Sequence, residues 1–142
     1  MTVGLKHTVT EIVTKDNTAD KVGSGLLPVY ATPSMIALME KCASECVAPY
    51  LEEGKASVGT MLNIKHVAAS PIGIKITCNA TLTEVDGRRL VFALEAFDEK
   101  GLIGEGTHER FVIDTERFMA KCQSKLEKEV HFCTFAPLVK WI

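Results

Sequence analysis

Hydrophobic and polar residues alternate along much of this chain, and the alternation defines most of its elements. From Val3 to Val13, the residues Val3, Leu5, Val9 and Glu11 share one parity with His7, which predicts a strand at a sheet edge. Lys15 to Lys21 is polar and turn-like. The segment Val22-Gly23-Ser24-Gly25-Leu26-Leu27-Pro28 reads as a mobile loop or a short broken strand. Four further alternating runs cover Ser57–Ala69, Ile72–Val85, Arg88–Asp98 and Leu102–Ile113. Asp86-Gly87 between two of them is a strong hairpin signal. The connections are short, so neighbouring strands should be antiparallel, because parallel strands need long crossovers.

The period changes between Thr32 and Val47. Ile36, Met39, Ala43, Cys46 and Val47 make a broad apolar face, and Lys41, Ser44 and Glu45 a narrow polar one. Thr32 is the expected N-cap and Pro33 the first helical residue, where proline's missing N–H would have no partner anyway. Asp114 should cap a last helix over Thr115–Lys128, with Phe118, Cys122 and Leu126 on one stripe. An apolar tail, His131–Ile142, follows and includes Trp141. The order predicts an α+β fold, an antiparallel sheet wrapped around a long central helix with an extra C-terminal helix. At 142 residues this should be one domain over 1–142. One sheet with one helix leaves open edges, so a homodimer or higher homo-oligomer is expected.

Composition narrows the function. The formal net charge is −2 with Lys and Arg scattered, so no basic stripe offers a nucleic-acid footprint. No apolar run approaches the ~20 residues that span a bilayer, and the N-terminus lacks a signal-peptide core. The five cysteines are odd in number and lack CxxC spacing, which favours a reducing cytoplasm over a disulfide framework. Cys42 and Cys46 stand four apart, but no further Cys or His motif supports a metal.

Some residues break the pattern. Glu40 stands on the helix stripe of Ile36, Ala43 and Val47, and neither i±4 neighbour is a cation. A buried, unpaired carboxylate is costly, so Glu40 must find a partner, take up a proton or reach solvent at the stripe's margin. An amide in its place would be cheaper to bury. His66 shares parity with Val58, Thr60, Leu62, Ile64 and Ala68, which turns it toward the apolar side. Alone it reads as a core histidine bonded to backbone. With Glu40 it reads as an acid–base or nucleophile–base pair. Thr32 lies two turns from Glu40 on nearly the same side of the helix, at an end that favours negative charge. On the last strand His108 and Arg110 share parity with Val112. Arg110 suits a carboxylate, a phosphate or an ordinary salt bridge, and His108 a structural role. Glycines beside them, Gly104 and Gly106, mark a bulge or a close approach.

These residues carry a resemblance. Val29-Tyr30-Ala31-Thr32-Pro33-Ser34-Met35, Leu38-Met39-Glu40 and Ala48-Pro49-Tyr50-Leu51 are similar to the fluoroacetyl-CoA thioesterase-like family of hot-dog proteins. So are Ser57-Val58-Gly59-Thr60, His66 with Ala68-Ala69-Ser70-Pro71-Ile72-Gly73, and Gly106-Thr107-His108-Glu109-Arg110. The resemblance spans Gly23 to Ile113. It implies a hot-dog dimer that hydrolyses an acyl-CoA with Thr32, Glu40 and His66 as the catalytic set. Gly59 and Arg110 match positions lining the acyl pocket. The family's fluoroacetyl enzyme closes its pocket with aromatic side chains before the helix. Here that segment is Gly23-Ser24-Gly25-Leu26-Leu27, which places Leu26 at the pocket and points to small or medium acyl groups.

The expectation is therefore a thioester hydrolase acting on a small-molecule acyl-CoA, with no cofactor beyond the CoA of the substrate and no metal. Lys65, Lys75, Arg88 and Arg89 are the candidate contacts for CoA phosphates. A ligand-binding hot-dog dimer without turnover and a hot-dog hydratase are the competing readings.

Overall fold

The computed structural model describes residues 1–127; the apolar tail and Cys133 lie outside the described residues. Five strands form one antiparallel sheet: β1 (Lys6–Ile12), β2 (Lys55–His66), β3 (Lys75–Asp86), β4 (Arg89–Asp98) and β5 (Gly101–Asp114). Their order is β1-β3-β4-β5-β2, so β1 is the edge strand expected and β2 is the other edge. The hairpin between β3 and β4 forms with Asp86 paired to Arg89, which puts Gly87 and Arg88 in the turn. Gly87 has φ 61°, a left-handed backbone that glycine adopts at little cost. The polar segment before the glycine loop contains an unexpected short helix, α1 (Ala19–Val22), closed by Gly23 at φ 83°.

The long helix α2 (Thr32–Val47) lies on one face of the sheet. Its first intrahelical bond runs from Met35 N to Ala31 O, 3.0 Å, so Ala31 is the N-cap and Thr32 is already helical. Thr32 is therefore not the cap: its hydroxyl makes no capping bond and is free for other work. After Val47 the chain tightens into a single 3₁₀ turn, Ala48–Tyr50, containing Pro49. Met35, Leu38, Met39, Cys42, Ala43, Cys46 and Val47 of α2 are buried against Val9, Ile76, Cys78, Ala80, Leu82, Leu90, Phe92, Leu94, Ala96 and Ile103. Each full-sized side chain there contributes about 1.5–3 kcal/mol by leaving water. The single proton of the Cys42 thiol is shared between His7 O and Cys78 O, at 3.3 and 3.4 Å from Sγ, so it ties α2 to the backbone of β1 and β3.

The β2 pattern differs from the expected alternation. Gly59 pairs with Arg110 and Met61 with Glu109, leaving Thr60 as an extra residue in a β-bulge. The bulge switches parity. Ser57 and Gly59 before it, and Leu62, Ile64 and His66 after it, share the helix side, while Thr60 bonds Glu109 on the opposite face at 2.7 Å. Val58 and Thr60 therefore do not share a face with His66. At the C-terminal side, Asp114 caps α3 (Thr115–Gln123) through a bond from Arg117 N of 3.1 Å. The helix ends at Gln123 and continues as a 3₁₀ turn over Ser124–Leu126. Its apolar stripe stays exposed at Phe118 and Leu126 among the described residues.

Candidate active site

Two polar clusters sit on the helix side of the sheet. The first joins the start of α2 to the end of β2: Thr32 Oγ1 and His66 Nδ1 lie 2.7 Å apart. His66 Nε2 is buried and has no hydrogen-bond partner among the described residues. The two ring nitrogens are linked through the tautomer. If the hydroxyl donates to Nδ1, Nε2 carries a proton; if Nδ1 donates to the hydroxyl, Nε2 is a free base. Burial pushes the His66 pKa below its ordinary 6.5, opposed by the Ala68 backbone, so the ring is neutral at pH 7. Both residues line a cavity of about 300 Å³ with Ser24, Val29, Tyr30 and Ala68. That volume is at the lower end for ligand sites, enough for an acyl group and its thioester but not for a whole nucleotide. Tyr30 forms a wall; its phenol donates to Glu11, and burial followed by that carboxylate raises its pKa.

The second cluster lies farther along α2. Glu40 stands at the margin of the buried stripe with 39 % of its side chain exposed, and Arg110 Nη1 approaches its Oε2 at 3.6 Å. The counter-charge missing from the helix thus comes from β5. Arg110 is only 6 % exposed. Its Nε donates to Ser57 Oγ and its Nη2 to Ser57 O, both at 2.8 Å. Gly59 faces this cluster: a Cβ there would overlap Glu40 Oε2 and press on the His108 ring, so only glycine leaves the carboxylate its place.

The structure therefore brings Thr32 to His66, and Glu40 to Gly59 and Arg110. It does not pair Glu40 with His66 within one chain: Glu40 stands eight positions after Thr32, a rise of about 12 Å along the helix. Leu26 is 94 % exposed and does not line the cavity, which Ser24 does instead. Of the candidate phosphate contacts, Arg89 is committed to Glu109 and Glu84 at 2.6 and 2.7 Å, whereas Lys65, Lys75 and Arg88 are exposed. Ser57 and His108 belong to the site and were not singled out for it from the sequence. The available signal was the parity His108 and Arg110 share, but the partner strand's bulge hid Ser57.

Comparison with known proteins places this geometry in context. The model of a family described as FlK, fluoroacetyl-CoA-specific thioesterase, matches residues 13–116. A fluoroacetyl-CoA thioesterase of Streptantibioticus cattleyicolor is 46 % identical over 97 residues, which cover 68 % of this chain and 70 % of that one. A solved structure of the fluoroacetyl-CoA thioesterase FlK superposes with a TM-score of 0.84 at 39 % identity, over 88 % of this chain and 97 % of the other. A thioesterase superfamily member from Thermus thermophilus superposes with a TM-score of 0.81 at 27 % identity, over 88 % and 93 % of the two chains. The fold is the hot-dog fold, as the resemblance implied.

Proposed function

This chain belongs to the fluoroacetyl-CoA-specific thioesterase family, and from that membership we propose a hydrolysis of small or medium acyl-CoA thioesters that uses Thr32, Glu40 and His66. It is an acyl-CoA thioesterase. The observation that carries the proposed chemistry is the Thr32–His66 pair, a neutral histidine in a small cavity with one ring nitrogen held and the other without a partner among the described residues. Such a ring serves as base, taking the attacking water's proton and returning it to the departing thiolate, or as acid, giving its own proton to the thiolate when Glu40 activates the water or attacks. Water supplies the oxygen, and the products are a carboxylate and the free thiol of CoA. Glu40 either takes the proton of the attacking water or attacks itself, forming a mixed anhydride that water then opens. No cofactor enters beyond the CoA of the substrate. Among the described residues no helix is long and apolar enough to cross a membrane. The four described cysteines are free, which fits a reducing cytoplasm.

The partner is a second copy. The twelve-residue edge strand β2 offers unpaired backbone, and Gly59, Thr60, Met61, Asn63 and Lys65 along it are exposed. An antiparallel pairing of β2 with its copy, centred between Gly59 and His66, sets the Thr32–His66 pair of one chain against the Glu40–Arg110 pair of the other. Such sharing supplies the Glu–His proximity that one chain lacks. Light scattering at micromolar concentration is expected to give the mass of two chains or a multiple of it. A monomeric mass would sink this arrangement.

The activity is tested with a panel of acyl-CoAs assayed for free thiol. Acetyl- and fluoroacetyl-CoA are expected to have kcat/KM values within about a hundredfold of each other, because one small substituent in an apolar pocket is worth only about 1–3 kcal/mol. A longer acyl-CoA should do at least as well. The physical reason is the segment Gly23–Leu27, with an exposed Leu26 and no aromatic side chain to seal the cavity. A fluoroacetyl preference of many thousandfold would overturn this specificity. Ligand protection against heating with no thiol release would favour a binding protein, and water addition without release a hydratase.

A further inference from the structure

His108 is fully buried on β5, two residues before Arg110, with its ring against Phe92 at a centroid distance of 5.9 Å. Its Nδ1 lies 2.9 Å from Met61 O, at the bulge of β2. A carbonyl oxygen can only accept, so Nδ1 carries the proton. Arg110 Nη1 lies 3.2 Å from His108 Nε2. A guanidinium can only donate, so Nε2 must be the unprotonated acceptor. The tautomer is thereby fixed from both sides. A protonated ring would set two donors and two positive charges against each other in a dry site.

The consequence falls on Arg110. Ser57 holds the Nε and Nη2 edge of the guanidinium, which leaves Nη1 as the end that faces Glu40. His108 is the group that fixes this end. Resting on the function proposed above, we propose that His108 is a positioning residue for the reaction, a neutral acceptor that aims the free edge of Arg110 at Glu40. The bulge at Thr60 belongs to the same device, because the carbonyl that sets the histidine tautomer lies next to it. The proposed role runs through Arg110, the group that accepts its orientation from the His108 ring.

The test is a double-mutant cycle in the full chain, assayed by thiol release from the acyl-CoA that the wild type turns over fastest. H108F keeps the ring's bulk against Phe92 and removes both hydrogen bonds. It is expected to lower kcat on the order of thirtyfold to a hundredfold, as a misplacement of about 1 Å does, with KM within about threefold. R110A is expected to be slow, and H108F/R110A no slower than R110A within about threefold, because the histidine has nothing left to position. H108Q can donate to Met61 O and accept from Arg110, and is expected to fold and keep at least about a third of wild-type kcat. Losses from H108F and R110A that multiply would show a merely structural histidine and overturn the proposal. So would H108Q as slow as R110A, whether or not H108F folds. A wild type that releases no thiol overturns the function and this role together, whereas a normal wild type with additive losses overturns this role alone.

Discussion

Replacing Glu40 by glutamine is expected to lower kcat by about two to four orders of magnitude, the usual worth of a positioned acid–base group, while the protein stays folded. Glutamine keeps the length and one acceptor oxygen but can neither attack a carbonyl nor take a proton. The stability outcome follows from the surroundings. On an apolar stripe with no cation, an amide would be cheaper to bury and E40Q would gain stability. The fold supplies the cation: Arg110 Nη1 lies 3.6 Å from Glu40 Oε2, and Glu40 itself is 39 % exposed. Solvent screens that pair, and Arg110 keeps its bonds to Ser57 and its contact with His108. The melting temperature of E40Q should therefore stay within a few degrees of wild type. Wild-type kcat in E40Q would remove Glu40 from the chemistry, and a marked loss of folding would make it a structural partner of Arg110.

His66→Ala should be comparably slow, about two to four orders of magnitude below wild type, because it removes the unpartnered nitrogen in the cavity. The wild type supplies a second readout. Burial, only partly opposed by the Ala68 backbone, holds the His66 pKa below 6.5. A base with a depressed pKa stays unprotonated further into acid, so the acid limb of kcat/KM should have its midpoint below pH 6.5. That limb should vanish in H66A. The two dead variants also test the shared site. Co-expressed in equal amounts, E40Q and H66A chains pair at random, and half of the dimers are mixed. If Thr32 and His66 come from one copy and Glu40 from the other, each mixed dimer holds one intact site. The mixture should then recover about a quarter of wild-type activity. If every site drew all three residues from one chain, mixing would restore nothing.

Much of this was readable along the chain because it depends on near neighbours. Alternation set the five strands, the changed period and the Thr-Pro start set α2, and Asp-Gly marked the hairpin. Thr32, Glu40 and His66 were visible as polar groups at positions of apolar or capping character. The family's order of motifs added the substrate class, which no periodicity contains.

Other features were settled only when distant segments met. Thr32 lost the capping role its sequence suggested, because the first helical bond starts at Ala31 and leaves the hydroxyl to His66, thirty-four residues away. One extra residue at Thr60 reversed the parity of β2 and put Ser57 and Gly59 beside Arg110; a bulge is fixed by pairing with β5, not by the strand's own residues. Leu26, in the loop ahead of α2, stands in solvent because the chain's path leaves Ser24 at the cavity. The sequence by itself determined where the elements lie and which polar residues interrupt their apolar faces, since periodicity is a property of neighbouring dihedrals. Only the tertiary structure decided which of those residues meet, since strand register and the seating of α2 bring together groups as far apart in the chain as Glu40, Ser57 and Arg110.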